Sequence, residues 1–222
     1  VESIGFGVAL DDVTLPHMAV VAGSVDGVAV RIARISFTGE RSYEISVPAD
    51  RAATLWARLR QAGEAFGATL LGLEALMILR AEKGYIVIGK DTDGTSRPMD
   101  FGLTAPLERK KAEFIGRRSL ITEDAARPDR RQFVGLEAAD GKGVLPTGAH
   151  GIERQAGKPR STGYVTSSYF SPALQRPIAL GLIERGLSRM GDVIELQHLG
   201  DIRRARIVSS CAFDGEGSRL HA

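Results

Sequence analysis

The chain has 222 residues, 43% hydrophobic and 25% charged, which suits one large globular domain or two small ones. Twenty-nine basic against 27 acidic residues leave a formal charge of +2, which argues against nucleic-acid binding as the main task. The single cysteine, Cys211, excludes an internal disulfide framework and a cysteine-based zinc site, and no apolar run approaches the roughly 20 residues of a membrane helix.

The chain begins Val1-Glu2-Ser3, without Met and without the hydrophobic region of a signal peptide. A processed chain and a fragment of something longer would both begin this way. The cytoplasm is the expected compartment.

In chain order, the first clear signal is a strand. Val28, Val30 and Ile32 alternate with Ala29, Arg31 and Ala33. Thr38-Gly39-Glu40-Arg41 is a plausible turn, after which Tyr43, Ile45 and Val47 alternate with Ser42, Glu44 and Ser46. The pattern predicts a β-hairpin closed by Pro48, with Tyr43, Ile45 and Val47 on its core face. Asp50 offers an N-cap to a helix carrying Ala52, Leu55, Trp56 and Leu59, with Gly63 as its stop. A second helix is predicted over 71–83 and ended by Gly84; a strand follows at Tyr85-Ile86-Val87-Ile88, then a polar turn over Asp91-Thr92-Asp93-Gly94-Thr95.

Residues 108–131 are densely charged around the apolar pair Phe114-Ile115, and 125–130 read as a linker. Beyond it, short β-like runs at 132–137, 162–167, 178–183, 192–197 and 202–209 alternate with turns bearing Gly and Pro. The fold class is therefore α+β: an α+β region over 1–124, then a small antiparallel β-barrel over 130–222.

Most familiar catalytic signatures are absent. The histidines His17, His150, His198 and His221 have no partners at ligand spacing, so no metal site is expected. There is no dinucleotide-binding glycine motif, no P-loop and no nucleophile elbow. Cys211 reads as a packed thiol.

Three residues carry candidate chemistry, each with a plainer alternative. Glu44 is either a solvated strand carboxylate or one that lines a cleft and accepts two parallel hydrogen bonds from an amidine-like edge. Phe37 is either a hydrophobic contact or a stacking platform for a flat heterocycle. Arg80 sits on an otherwise apolar helix, either as an anion ligand or in a buried ion pair. Glu74 and Glu82 are poorly spaced to be its partner, so a buried partner must come from elsewhere. Thr166-Ser167-Ser168-Tyr169-Phe170-Ser171-Pro172 reads as a hydroxyl-rich loop between two strands.

In order, these stretches resemble one family. Ser36-Phe37-Thr38-Gly39-Glu40-Arg41-Ser42-Tyr43-Glu44-Ile45 is similar to the aromatic-Thr-Gly-Glu-x-x-Tyr-Glu-Ile stretch of the folate-dependent aminomethyltransferases, the group of the glycine-cleavage T-protein. Gly72-Leu73-Glu74-Ala75 with Leu79-Arg80-Ala81-Glu82-Lys83-Gly84, and Phe114-Ile115-Gly116-Arg117, match two further family segments. Gly163-Tyr164-Val165-Thr166-Ser167, Ser171-Pro172 and Pro177-Ile178-Ala179-Leu180-Gly181 match its C-terminal barrel. The resemblance runs from about Leu15 to near the end. Within the family, Ile35-Ser36-Phe37, Leu79-Arg80-Ala81-Glu82-Lys83-Gly84 and Asp91-Thr92-Asp93-Gly94-Thr95 look like the C-terminal folate-binding region of heterotetrameric sarcosine oxidase α subunits.

The resemblance implies site residues and partners. Glu44 falls at the family's pterin-binding glutamate and Phe37 at its aromatic position, and Arg80 joins them as a candidate folate-binding residue. The family's arginine for the folate tail aligns with Leu76, so that carry-over fails. No catalytic residue is assigned, because the family's aspartate near N5 belongs to a segment before Val1. The implied cofactor is tetrahydrofolate. Flavin and NAD are expected on other segments or partner subunits, and the implied partners are the other sarcosine oxidase subunits. Three readings stand: the one-carbon-capturing region of such an oxidase, a T-protein-type aminomethyltransferase, and a non-catalytic scaffold of the same fold. On the motif order the chain is expected to be a fragment, with some apolar surface near its N-terminus exposed or poorly ordered.

Overall fold

The computed structural model describes residues 4–221, so Val1–Ser3 and the expectation attached to them lie outside the described residues. The chain forms two compact units, residues 1–76 with 216–222, and residues 77–215.

The first unit is built on an antiparallel three-stranded sheet in the order β1 (Val20–Val25), β2 (Val28–Ala33), β3 (Glu44–Ser46). The predicted hairpin is present: Ile32 faces Ile45 and Ala33 faces Glu44. Its connection is the loop 34–43, longer than the tight turn expected at 38–41. β1 gave no sequence signal, because Val20-Val21-Ala22-Gly23-Ser24-Val25 lacks a clean alternation.

Register sorts the side chains. Val30 and Ile32 are buried, and Val21, Tyr43, Ile45 and Val47 pack against the same cluster with Ile4, Phe6, Leu10, Leu15 and Leu55. The alternate positions Val20, Ala22, Ala29, Arg31, Glu44 and Ser46 are exposed, so the sheet has one open face. Val13 and Met18 are also exposed.

A 3₁₀ turn (Ala49–Arg51) leads into α1 (Ala52–Glu64). Asp50 lies inside that turn and Arg51 is the N-cap, so the predicted Asp50 cap is not made. Gly63 does not stop α1 but lies in its last turn, where a Cβ would come 2.7 Å from the Ala68 Cβ as the chain doubles back. α2 (Leu73–Lys83) matches the second predicted helix, and its portion from Met77 belongs to the second unit.

In the second unit, β4 (Arg131–Ala138), β5 (His150–Gln155), β6 (Lys158–Ser171), β7 (Arg176–Glu184), β8 (Val193–His198) and β9 (Asp201–Val208) close into an antiparallel barrel ordered β4-β7-β6-β5-β8-β9. Five strands correspond to predicted runs. β5 was missed because His150-Gly151-Ile152-Glu153-Arg154-Gln155 offers one large apolar residue.

Val134, Leu136, Val165, Ile183, Leu196 and Ile207 fill the interior. Phe133, Ile178, Leu180 and Leu182 point outward onto Ala81, Ile86 and Phe101. β7 is therefore covered on both faces, and the near-continuous apolar run Ile178–Ile183 follows from that. A short helix α3 (Ala105–Arg109) and 3₁₀ turns at Pro98–Phe101 and Arg117–Ile121 precede the barrel.

Two predictions are corrected here. Tyr85–Ile88 is not a strand: its backbone ties back to α2 through Tyr85 N–H to the Arg80 carbonyl (2.9 Å) and closes a turn through Asp91 N–H to the Val87 carbonyl (2.9 Å). The hydroxyl-rich stretch from Thr166 to Ser171 is not a loop but the second half of β6, paired with β7 from Ser167↔Leu180 to Ser171↔Arg176.

Candidate functional site

In the first unit, Glu44 opens β3 on the exposed face of the sheet. Among the described residues none donates a hydrogen bond to its carboxylate. Arg31 lies on the same face two pairs along, opposite Ser46, and among the described residues it too has no ion-pair partner. Charged side chains without internal partners on an uncovered sheet face remain available to a ligand.

Phe37 lies half-buried in the loop 34–43 that runs into β3. That loop is tied down by its own polar groups. The Gly39 N–H donates to Ser36 Oγ (2.9 Å), and Gly39 adopts φ 83°, where a side chain would be strained. Ser42 Oγ donates to the Glu40 carbonyl (3.1 Å), and Arg219 pairs with Glu40 (2.8 Å). Tyr43 turns to the core, and its hydroxyl donates to the Leu10 carbonyl (3.3 Å).

At the start of the loop, the buried Arg34 donates to Asp12, to the Leu15 carbonyl (3.1 Å) and to the Leu220 carbonyl (3.3 Å). Arg41 pairs with the same Asp12. The Arg34 hydrogen bond, reinforced by the positive charges of Arg34 and Arg41, holds the Asp12 carboxyl below the usual carboxylate range. The loop carrying Phe37 is thus anchored at both ends before any ligand arrives, which lowers the ordering cost of binding.

In the second unit, Arg80 is 0% exposed and pairs with Asp91, also 0% exposed, at 2.6 Å. It donates further to the Tyr85 carbonyl (3.0 Å) and to Ser167 Oγ (2.6 Å). Asp91 in turn accepts from the Val87 N–H (2.9 Å), from Ser167 Oγ (3.1 Å) and from the Thr166 hydroxyl. The partner that the sequence required from elsewhere is therefore Asp91, from a stretch read as a polar turn. An unpaired carboxylate could not be buried so completely, and these four donors make the burial tolerable.

Glu82, the next-to-last residue of α2, is likewise buried and accepts from Ser171 Oγ and the Ala173 N–H (3.4 Å). Gly84 ends the helix at φ 76°, where a Cβ would come 2.6 Å from the Ser210 carbonyl oxygen. Ala212 and Phe213 donate backbone N–H groups to the Glu82 carbonyl (2.9 Å each), and Lys83 reaches Asp214. These contacts stitch the end of α2 to β6 and to the segment after β9. Ser171→Ala is expected to lower stability by about 1.5–3 kcal/mol, since a buried carboxylate loses a donor; urea unfolding checks it, with Ser168→Ala as the half-buried comparison.

The sequence thus singled out Arg80 and the 166–171 hydroxyls separately, and the structure brings them together on Asp91 and Glu82. Asp91 was missed because nothing local marks a carboxylate in a polar stretch as buried. Phe37 and Glu44 belong to the first unit and Arg80 to the second. Leu76, which the resemblance aligns with the family's tail arginine, is half-buried on α2. Cys211 is partly exposed, with its thiol on the Phe213 carbonyl (3.3 Å). Among the described residues, no group of three His, Cys, Asp or Glu could hold a metal ion, and no helix is long and apolar enough to cross a membrane.

Comparisons with known proteins agree with this architecture. Residues 5–111 match the GCVT N-terminal domain, and residues 131–214 match the glycine cleavage T-protein C-terminal barrel domain. A sarcosine oxidase subunit alpha from Corynebacterium sp. (strain P-1) is 40% identical over 87% of this chain and 20% of its own length. An aminomethyltransferase from Caldanaerobacter subterraneus is 34% identical over 78% of this chain and 44% of its own. The crystal structure of the aminomethyltransferase T from Bartonella henselae superposes with a TM-score of 0.69 at 26% identity, covering 84% of this chain and 50% of that one. The chain spans about a fifth of the sarcosine oxidase alpha subunits it matches and about half of the aminomethyltransferases. With one domain model on each side of residue 120 and a closed six-stranded barrel under the second, the chain belongs to the glycine-cleavage T-protein family.

Proposed function

We propose that this chain is the tetrahydrofolate-binding portion of a sarcosine oxidase alpha subunit, where the one-carbon unit from oxidised sarcosine is captured as 5,10-methylenetetrahydrofolate. The observation that carries the reading is Glu44: an exposed carboxylate with no donor among the described residues, on an open sheet face, joined to an anchored loop that carries Phe37. A pterin presents a 2-amino group beside a ring N–H, and a carboxylate accepts both in parallel. Phe37 packs against the flat face of the heterocycle. When bound, tetrahydrofolate supplies the nucleophilic N5. Glu44 and Phe37 fix the orientation of the ring, so that capture becomes effectively unimolecular.

Arg80 supports this indirectly. Its guanidinium is committed to Asp91, Ser167 and the Tyr85 carbonyl, so it braces α2 instead of meeting the folate tail. With Leu76 on α2, the tail carboxylates depend on other cations. The flavin and NAD of the complete oxidase are assigned to other segments or subunits. The oxidase reading is preferred to the aminomethyltransferase because two oxidase subunits match at 40% and 38% identity over 87% and 95% of this chain, whereas an aminomethyltransferase at 39% covers 71% and one covering 88% is 32% identical.

The test is calorimetric titration with folinic acid. Glu44→Gln removes the charge and one acceptor and is expected to weaken binding by about 1–3 kcal/mol. An unchanged affinity would remove Glu44 from the pterin site.

A further inference from the structure

We propose that the groove formed by residues 99–121 docks an acidic segment of a partner subunit that carries an apolar anchor. The groove measures about 500 Å³; the half-buried Leu107, Phe114 and Leu120 form its apolar floor, and Lys110, Lys111, Arg117 and one carboxylate, Glu108, also line it. Ile115 beside it is 104% exposed and Ile121 is 82% exposed. An apolar surface of this kind beside a concave floor is what proteins normally cover with a partner.

Charge says what the partner looks like. Between Ala105 and Ile121 there are five Arg or Lys residues against two carboxylates, a surplus larger than the formal +2 of the whole chain. Glu113 pairs with Arg117 at 3.3 Å. The Lys110 ammonium stands 5.0 Å over the Phe114 ring. The side chains of Arg109, Lys111 and Arg118 make no ion pair among the described residues. These cations are left for an outside anion; Lys111 lines the groove itself with Lys110, while Arg109 and Arg118 are exposed neighbours in the chain. Positive charge beside an apolar floor selects a partner with carboxylates flanking a buried side chain.

A protein segment suits the groove better than the alternatives. Nucleic acid would want stacking aromatics, and the floor has one, Phe114. A lipid surface is flat, whereas this floor is concave and sized for a few side chains. The relatives at 40% and 38% identity are named as subunits, so a partner chain is available if the oxidase reading holds, and on that reading the choice of partner rests.

The test uses the intact protein with its partner subunits, dissociated and re-mixed, with affinity read by sedimentation at low and high salt. Lys110→Glu/Lys111→Glu is expected to weaken association about tenfold or more at low salt, with a smaller effect at high salt. Ile115→Asp is expected to weaken it at both. Folinic-acid affinity is expected to be unchanged in both variants, which separates failure of docking from failure of the folate reading. All three side chains are exposed, so the variants retain their cores. Unchanged association in both variants would overturn the proposal. So would binding of the wild type to phosphatidylcholine–phosphatidylserine vesicles that the double charge reversal abolishes.

Discussion

Arg80→Leu is expected to destabilise the protein by about 3–5 kcal/mol, the cost of removing one member of a fully buried ion pair. The figure needs no discount for solvent screening, because both side chains are 0% exposed. Without the guanidinium, Asp91 keeps only the Val87 N–H and the Thr166 and Ser167 hydroxyls as donors. The carboxylate is then a buried, uncompensated charge. Urea unfolding of the intact chain measures the loss. A double variant, Arg80→Leu with Asp91→Leu, is expected to recover part of it, because the desolvation of both charges disappears together. Recovery is incomplete, since Ser167 and Thr166 lose an acceptor. A cost below about 1 kcal/mol for Arg80→Leu would show that water reaches Asp91 freely and that the network braces nothing.

Leu136→Ala is expected to cost about 2–5 kcal/mol, the range for large-to-small changes in a closed core. Leu136 is 1% exposed inside the barrel, among Val134, Ile183, Leu196 and Ile207. A closed six-stranded sheet collapses poorly around a missing side chain, because its hydrogen-bonded strands cannot move together independently. Gly181 shows how tight the packing is, since a Cβ there would come 2.9 Å from Leu136 Cδ1 and 2.8 Å from the Tyr164 carbonyl oxygen. The denaturation midpoint should fall without a change in the slope. A loss below about 1 kcal/mol would mean that the barrel relaxes into the space.

Both effects lie in parts that the sequence described unequally. The alternations at Val28–Ile32 and Tyr43–Val47 reported a strand with one buried face. Those side chains do pack inward, while Glu44 and Ser46 face out. Period-two patterning was legible because a half-buried sheet sorts residues by face. The barrel was legible for a related reason, since its strands are apolar runs cut by turns. β5 escaped because it is polar along most of its length.

Position-specific errors have one origin. Tyr85–Ile88 has strand composition, yet its backbone partners are α2 and its own turn. Thr166–Ser171 has loop composition, yet it lies in β6, where its hydroxyls meet Asp91 and Glu82. Composition reports what a residue is suited to contact and leaves open what it will meet.

Family membership and the choice of Glu44, Phe37 and Arg80 as candidates came from the sequence, through motif order and the chemistry of a carboxylate, an aromatic ring and a guanidinium. Tertiary structure decided how each is spent. Glu44 remains open on a sheet face because register placed it opposite Ala33 on the uncovered side. Arg80 is consumed by Asp91, eleven residues on, because the chain turns back after Gly84 and brings that carboxylate under β6. Burial of a charge is set by what folds over it, and that comes from residues far apart in the chain.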